Sequence, residues 1–200
     1  MPSPILRRAL TEPGLRPLPE RVARLLEDLD APPRLAAHLR AVHDVAAQLV
    51  GWVRERHPGV AVDAEAVLFG AATHDIGKVL HPGELSGPGA EHEPGGHALL
   101  RERGVEERLA RFARTHGSWD GPGVGVDDLL VSLADEVWKA KRVPELEQRL
   151  VEVLAAASGQ EVWQVFMDLD DVCDRLAAAA DDRLAFQSAY PVAGGTESTA

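Results

Sequence analysis

From Glu20 onward the apolar residues recur three and four apart, the period of helices that bury one face. Val22, Leu25, Leu26 and Leu29 form a first stripe, which Pro32-Pro33 ends. A longer helix is expected from about Arg34 to about Arg56, closed by His57-Pro58-Gly59, with His57 in a solvated loop. Asp63 suits an N-cap for a helix from Ala64 to His74, whose Val67-Leu68-Phe69-Gly70-Ala71-Ala72 run is apolar nearly all round, as in a central helix of a bundle. His81 to Gly96 is rich in Pro, Gly and His and reads as a long loop, a kind of segment that often carries function.

Shorter helices should follow, one from near His92 to near Gly104 and one from Glu106 to about His116, with Leu109, Phe112 and Ala113 inward. Asp127 or Asp128 can cap the next, whose stripe is Leu129, Leu130, Leu133 and Val137. Two more helices are expected between Pro144 and Tyr190, divided near Ser158-Gly159. Leu146, Leu150, Val153 and Leu154 line one; Val162, Val165, Phe166, Leu169, Val172, Cys173 and Leu176 line the other. Residues 1–19 carry five prolines and should be an irregular lead-in with at most a short helical turn. The reading is all-α: a single-domain helical bundle over 20–190, with a motif core at 34–142, packing helices at 144–190 and a disordered tail at 191–200.

Composition narrows this without changing it. At 200 residues, 4% of them aromatic, one core suffices and helix is favoured over strand. A net charge of −11 speaks against a nucleic-acid polymer as partner. The lone Cys173 excludes an intramolecular disulfide and fits a reducing interior. With no apolar run long enough for a membrane span and no secretory order at the amino terminus, a cytoplasmic chain is expected. Homo-oligomerisation is left open. An anionic substrate would need a local positive spot, most simply a metal.

The chemistry centres on Ala72-Thr73-His74-Asp75-Ile76-Gly77-Lys78. An ionised aspartate at the end of an apolar helix is costly unless it finds a cation. On the long second helix, Val42, Val45, Ala46 and Leu49 surround His38 on the apolar face, while His43 lies about 140° round, near its edge. His92 stands at the start of a helix, His116 in the last turn of another, where the bland reading is a cap on free carbonyls. Asp135 falls on or beside an apolar stripe, with Lys139, Lys141 and Arg142 following. Singly each position favours a structural reading. Together, His38, His74, Asp75, His92, His116 and Asp135 are an ordered set whose imidazoles and carboxylates suit Fe, Mn, Zn, Ni or Co.

This order of His, His-Asp, His, His and Asp resembles the HD-domain superfamily of metal-dependent phosphohydrolases. Val42 at +4 from His38, Ile76-Gly77-Lys78 after the pair, and Gly96 and Leu100 at +4 and +8 from His92 carry the likeness, and they select His38 over His43 and His92 over His97. The stretch Thr115 to Gly123 partly resembles the HD-GYP group, yet Thr115 replaces its histidine, Gly117 its glutamate, and Val124-Gly125 its tyrosine and proline. The pattern is more similar to HD enzymes that split dinucleoside tetraphosphates.

The resemblance implies a helical bundle holding two divalent ions. His38, His74, Asp75 and Asp135 would hold one, and Asp75 would bridge to a second held by His92 and His116. It also implies hydrolysis of a small phosphorylated molecule by metal-activated water, with Lys78, Arg142 and Lys139 on phosphate oxygens and Asp75 and Lys78 as catalytic residues. Two alternatives stand beside it: a di-iron oxygenase of the same six-ligand type cleaving a C–C or C–P bond, and a non-catalytic HD sensory or interaction module.

Overall fold

The computed structural model describes residues 2–192, and among these there are helices and no strands. Most of the expected tail lies outside the described residues. The axis of the bundle is α3 (Pro33–Arg56), which follows α1 (Pro4–Thr11) and α2 (Glu20–Asp28). Next come α4 (Ala64–Ala71), two short 3₁₀ turns at Ile76–Val79 and Pro82–Leu85, and α5 (His92–Glu102). The chain continues through α6 (Glu107–Ala110), α7 (Phe112–Thr115), α8 (Val126–Val137), α9 (Pro144–Ser158), α10 (Val162–Ala178) and α11 (Ala180–Ser188). Helices α3, α4 and α8 pack on one another to form the core; α9 lies on α8 and α10 on α9, while α5 packs on α7 and the Ile76–Val79 turn.

The caps behave as short polar side chains should. Asp63 accepts from the Ala66 amide at 3.1 Å at the start of α4, and Asp128 accepts from the Gly125 amide at 3.3 Å at the start of α8. Asp127 instead accepts from the Asp63 amide at 3.1 Å, tying the starts of α4 and α8 together.

Six expectations need correction. The lead-in is not irregular: α1 forms because Pro4 sits at the first helical position, where its missing N–H costs nothing, and Ser3 caps the Leu6 amide at 3.1 Å. An eight-residue helix is marginal alone, but α1 buries Leu6 and Leu10 against α3, about 2 kcal/mol each, and Arg40 holds the carbonyls of Ala9, Glu12 and Leu15 at 2.7–2.9 Å. That cover is why both faces of α3 are buried, including the edge that carries His43.

His57 is likewise buried, with Nδ1 at 2.5 Å from Gln160 Oε1 and its ring edge-on to Trp52. The expected helix to His74 stops at Ala71, and the one ending at His116 breaks at Arg111 into α6 and α7. The last segment contains a third helix, α11, whose junction is held by Arg183 donating to the carbonyls of Trp138 and Leu176. Val162 and Phe166, expected inward on α10, are exposed.

Candidate metal centre

Six side chains from five parts of the chain meet at the end of the bundle where α4 and α7 stop. His38 projects from the second turn of α3 and Asp135 from the last turn of α8. His74 and Asp75 lie in the turn after α4; His116 caps α7 and His92 opens α5. His92 can reach the others because two glycines bring backbones together. A Cβ on Gly77 would overlap the His92 carbonyl, and one on Gly96 would lie 2.9 Å from the Gly77 nitrogen. The glycine after His74-Asp75 and the one four residues after His92 are therefore two halves of one contact.

The six residues form two clusters that share Asp75. On one side, His38 Nε2 lies 3.1 Å from Asp75 Oδ2 and 3.3 Å from His74 Nε2, and His74 Nε2 lies 3.2 Å from Asp135 Oδ1. On the other, Asp75 Oδ1 lies 3.0 Å from His92 Nε2 and 3.6 Å from His116 Nε2. Two ligand atoms bound at about 2.1 Å to one cation sit about 3.0 Å apart at a right angle and about 3.4 Å apart at the tetrahedral angle. The observed separations fall around that range.

Orientation tells more than distance. His74 donates from Nδ1 to the Ala71 carbonyl at 2.9 Å, and His116 from Nδ1 to the Phe112 carbonyl at 3.1 Å. His92 places Nδ1 at 2.5 Å from the carboxylate of Glu84. A carbonyl or carboxylate can only accept, so each of these imidazoles carries a proton on Nδ1 and turns Nε2 inward. Asp75 Oδ1 is buried with no partner in hydrogen-bonding geometry, although His92 Nε2 is only 3.0 Å away. Ligand atoms aimed at a common point fit a cation. His38 differs in that its Nδ1 is buried without a partner and its ring is held edge-on by Trp138, centroids 5.0 Å apart.

Charge agrees with geometry. Burial alone would raise Asp75 and Asp135, but His74 and His38 outweigh it and hold both carboxyls below the usual carboxylate range. Against the same penalty of burial, Asp75 raises His74 and His92, with Asp135 acting on His74 and Glu84 on His92. Burial lowers His38 and brings His116 down to about 4, with the His74 charge adding to the effect, so His116 is neutral at pH 7. Two carboxylates in a dry place are thus offset by protons and by Lys78, whose Nζ lies 2.5 Å from Asp75 Oδ2. Divalent cations would meet the same need.

A family model described as the HD domain matches residues 21–154. The chain belongs to the HD-domain family. No curated protein and no solved structure was found to match it. HD domains bind divalent metals and are mostly metal-dependent hydrolases, and in this HD domain His38, His74 and Asp135 form one group able to hold an ion, Asp75, His92 and His116 another. No helix among the described residues is long and apolar enough to cross a membrane.

The remaining expected site residues fare unequally. Lys78 donates to the Asp75 carboxylate, and Lys139 Nζ donates to the Asp135 carbonyl at 3.1 Å, at the rim. Arg142 is not brought to the centre: Glu147, Asp170 and Asp174 of α9 and α10 engage all three of its side-chain nitrogens at 2.7–3.2 Å, which leaves no free edge for phosphate. His43 lies away from the clusters, buried beside Arg16 and Arg40, and His97 pairs with Glu107 at 2.8 Å. Glu84 and Trp138, which orient His92 and His38, were not anticipated. Neither leaves a periodic signal; both are visible only once the loop and the end of α8 are folded against the histidines.

Proposed function

We propose that this HD domain is a metal-dependent hydrolase of phosphoric esters or anhydrides, acting on a small phosphorylated molecule, a nucleotide or dinucleoside polyphosphate. One observation carries the reading: the two oxygens of Asp75 are divided between the His38–His74–Asp135 cluster and the His92–His116 pair. A carboxylate so placed could serve two ions at once. Divalent ions held there would supply an acidified water and take up charge on the phosphoryl oxygens.

The chain's own residues do the rest. Nδ1 hydrogen bonds fix the orientation of His74, His92 and His116, so that each would offer Nε2 to an ion that displaces its proton. Lys78 holds an ammonium beside the reacting position, where a phosphate oxygen can exchange for Asp75 as its partner, and Lys139 offers a second positive charge at the rim. These local charges explain how a chain of net charge −11 would accept an anion.

The test is elemental analysis of the purified protein combined with phosphate release from nucleotides, dinucleoside polyphosphates and phosphomonoesters. Two bound equivalents of transition metal with turnover of one substrate class is the expected result. Oxygen uptake by iron-loaded protein without phosphate release would assign the site to an oxygenase instead, and a metal-free protein inert to all three classes would make it a non-catalytic module.

A further inference from the structure

The Pro82–Leu85 turn contributes Glu84, and its carboxylate is more fully engaged than any loop acid needs to be. Oε2 accepts from the His92 amide at 3.1 Å and lies 2.5 Å from His92 Nδ1, while Oε1 accepts from the Glu91 amide at 3.2 Å. The side chain is 12% exposed. The far wall of its cradle is Gly89, where a Cβ would overlap the carboxylate. One acid thus fastens both ends of an exposed loop, residues 84–91, to the first turn of α5, and it does so through the single ligand that this loop delivers.

We infer that Glu84 is a positioning residue for the second ion: by holding His92 Nδ1–H it fixes the ring with Nε2 toward Asp75 Oδ1, and its charge strengthens His92 as a donor. This rests on the two-ion reading above. The first cluster contains no atom that Glu84 touches, since His74 is oriented by the Ala71 carbonyl and His38 by Trp138. The second has only Asp75, His92 and His116 from the protein, so loosening His92 removes a third of it. Losing such an outer partner typically weakens a metal about 10–100-fold. The effect should therefore fall on one ion and spare the other. Gly89 makes the same prediction by a separate route, because a methyl group there must displace the carboxylate.

The experiment is metal stoichiometry and stepwise affinity, by elemental analysis and competition with a chromophoric chelator, on the full chain and on Glu84→Gln, Glu84→Ala and Gly89→Ala. Limited proteolysis of the 84–91 loop is followed in parallel. The expected result is two ions in the native chain and, in all three variants, a first ion of unchanged affinity with a second weakened 10–100-fold. Glu84→Gln keeps one acceptor oxygen for the loop amides, so its loop should resist protease nearly as the native one does while the second ion is still weakened. That combination separates positioning of the ligand from mere support of the loop. Two ions of native affinity in Glu84→Gln would overturn the inference and leave the two-ion reading intact. A native chain that takes up only one ion would overturn both.

Discussion

Replacing Asp75 with asparagine keeps the shape of the side chain and removes the charge that both clusters share. The consequences are unequal. Without a carboxylate at 75 the first cluster still has His38, His74 and Asp135, three ligands of which one is anionic, whereas the second is left with two neutral imidazoles. The first ion should bind more weakly and the second should be lost. The size of the effect follows from linkage. At a free concentration of 100 times Kd each ion stabilises the fold by about 2.7 kcal/mol. In a chain of this length that is about 5–11 °C in Tm per ion, or roughly 11–22 °C for two.

The assay is thermal unfolding with and without added Mn²⁺, Zn²⁺ or Fe²⁺, each protein compared with its own metal-free form, together with elemental analysis. The native chain should show the full shift and Asp75→Asn less than about 5 °C at the same metal concentration. Lewis-acid stabilisation of several kcal/mol is lost with the ions, so hydrolysis should fall on the order of 10³-fold. An Asp75→Asn protein that kept two ions and the native shift would refute the bridging role and with it the proposed chemistry.

Three further outcomes follow from residues around the centre. Lys78→Gln should retain both ions but lower kcat/KM about 10–100-fold, the worth of one charge-assisted hydrogen bond to a phosphate oxygen; an unchanged kcat/KM would remove Lys78 from substrate binding. Arg142→Met should leave kcat/KM within about twofold while lowering unfolding stability by about 1–2 kcal/mol, because Glu147 is buried and would lose its main partner; the figure is reduced for the partial exposure of Arg142. A fall in turnover with unchanged stability would return Arg142 to the site. His43 is held near 4, chiefly by burial and then by Arg16 and Arg40. Between that value and the ordinary 6.5 or so the unfolded chain binds a proton that the folded chain refuses. Stability is therefore full above pH 6.5 and declines toward pH 4, by about 3 kcal/mol from this residue. Urea unfolding of metal-free protein at pH 7 and pH 4.5 should show a smaller acid loss in His43→Leu; an equal loss would refute the assignment.

The helical class was legible in the sequence because it leaves local marks, and the order of histidines and aspartates, through its resemblance to HD domains, named six residues that the fold brings together. Three- and four-residue spacing placed α2, α3, α8 and α9 to within a few residues, and it put His38 in mid-face. What escaped depends on contacts between distant segments. Nothing in residues 1–19 says that α3 has a second face to cover, so the prolines suggest an irregular lead-in and His43 an edge residue, whereas α1 packs on α3 and His43 is buried beside Arg16 and Arg40. The resemblance implies Arg142, a basic residue after Asp135, as a phosphate ligand, but three carboxylates that claim it come from α9 and α10. Glu84 is one acid among several in a loop until the loop folds back on His92.

The bland reading of His116, a histidine capping carbonyls at a helix end, turns out to be the condition for the functional one rather than its rival. The last carbonyls of a helix have no intrahelical partner. A histidine just past that end can donate Nδ1–H to a terminal carbonyl, as His74 does to Ala71 three residues back; His116 does so to Phe112 four residues back, whose oxygen also accepts the His116 backbone N–H. Doing so fixes the tautomer and points Nε2 away from the helix. Two helices, α4 and α7, stop at the same end of the bundle, so two capping histidines converge, their rings 4.9 Å apart. α4 ends at Ala71 although its apolar pattern would allow it to run through His74, and the turn that follows puts the imidazole of His74 on the Ala71 carbonyl with Nε2 toward Asp135.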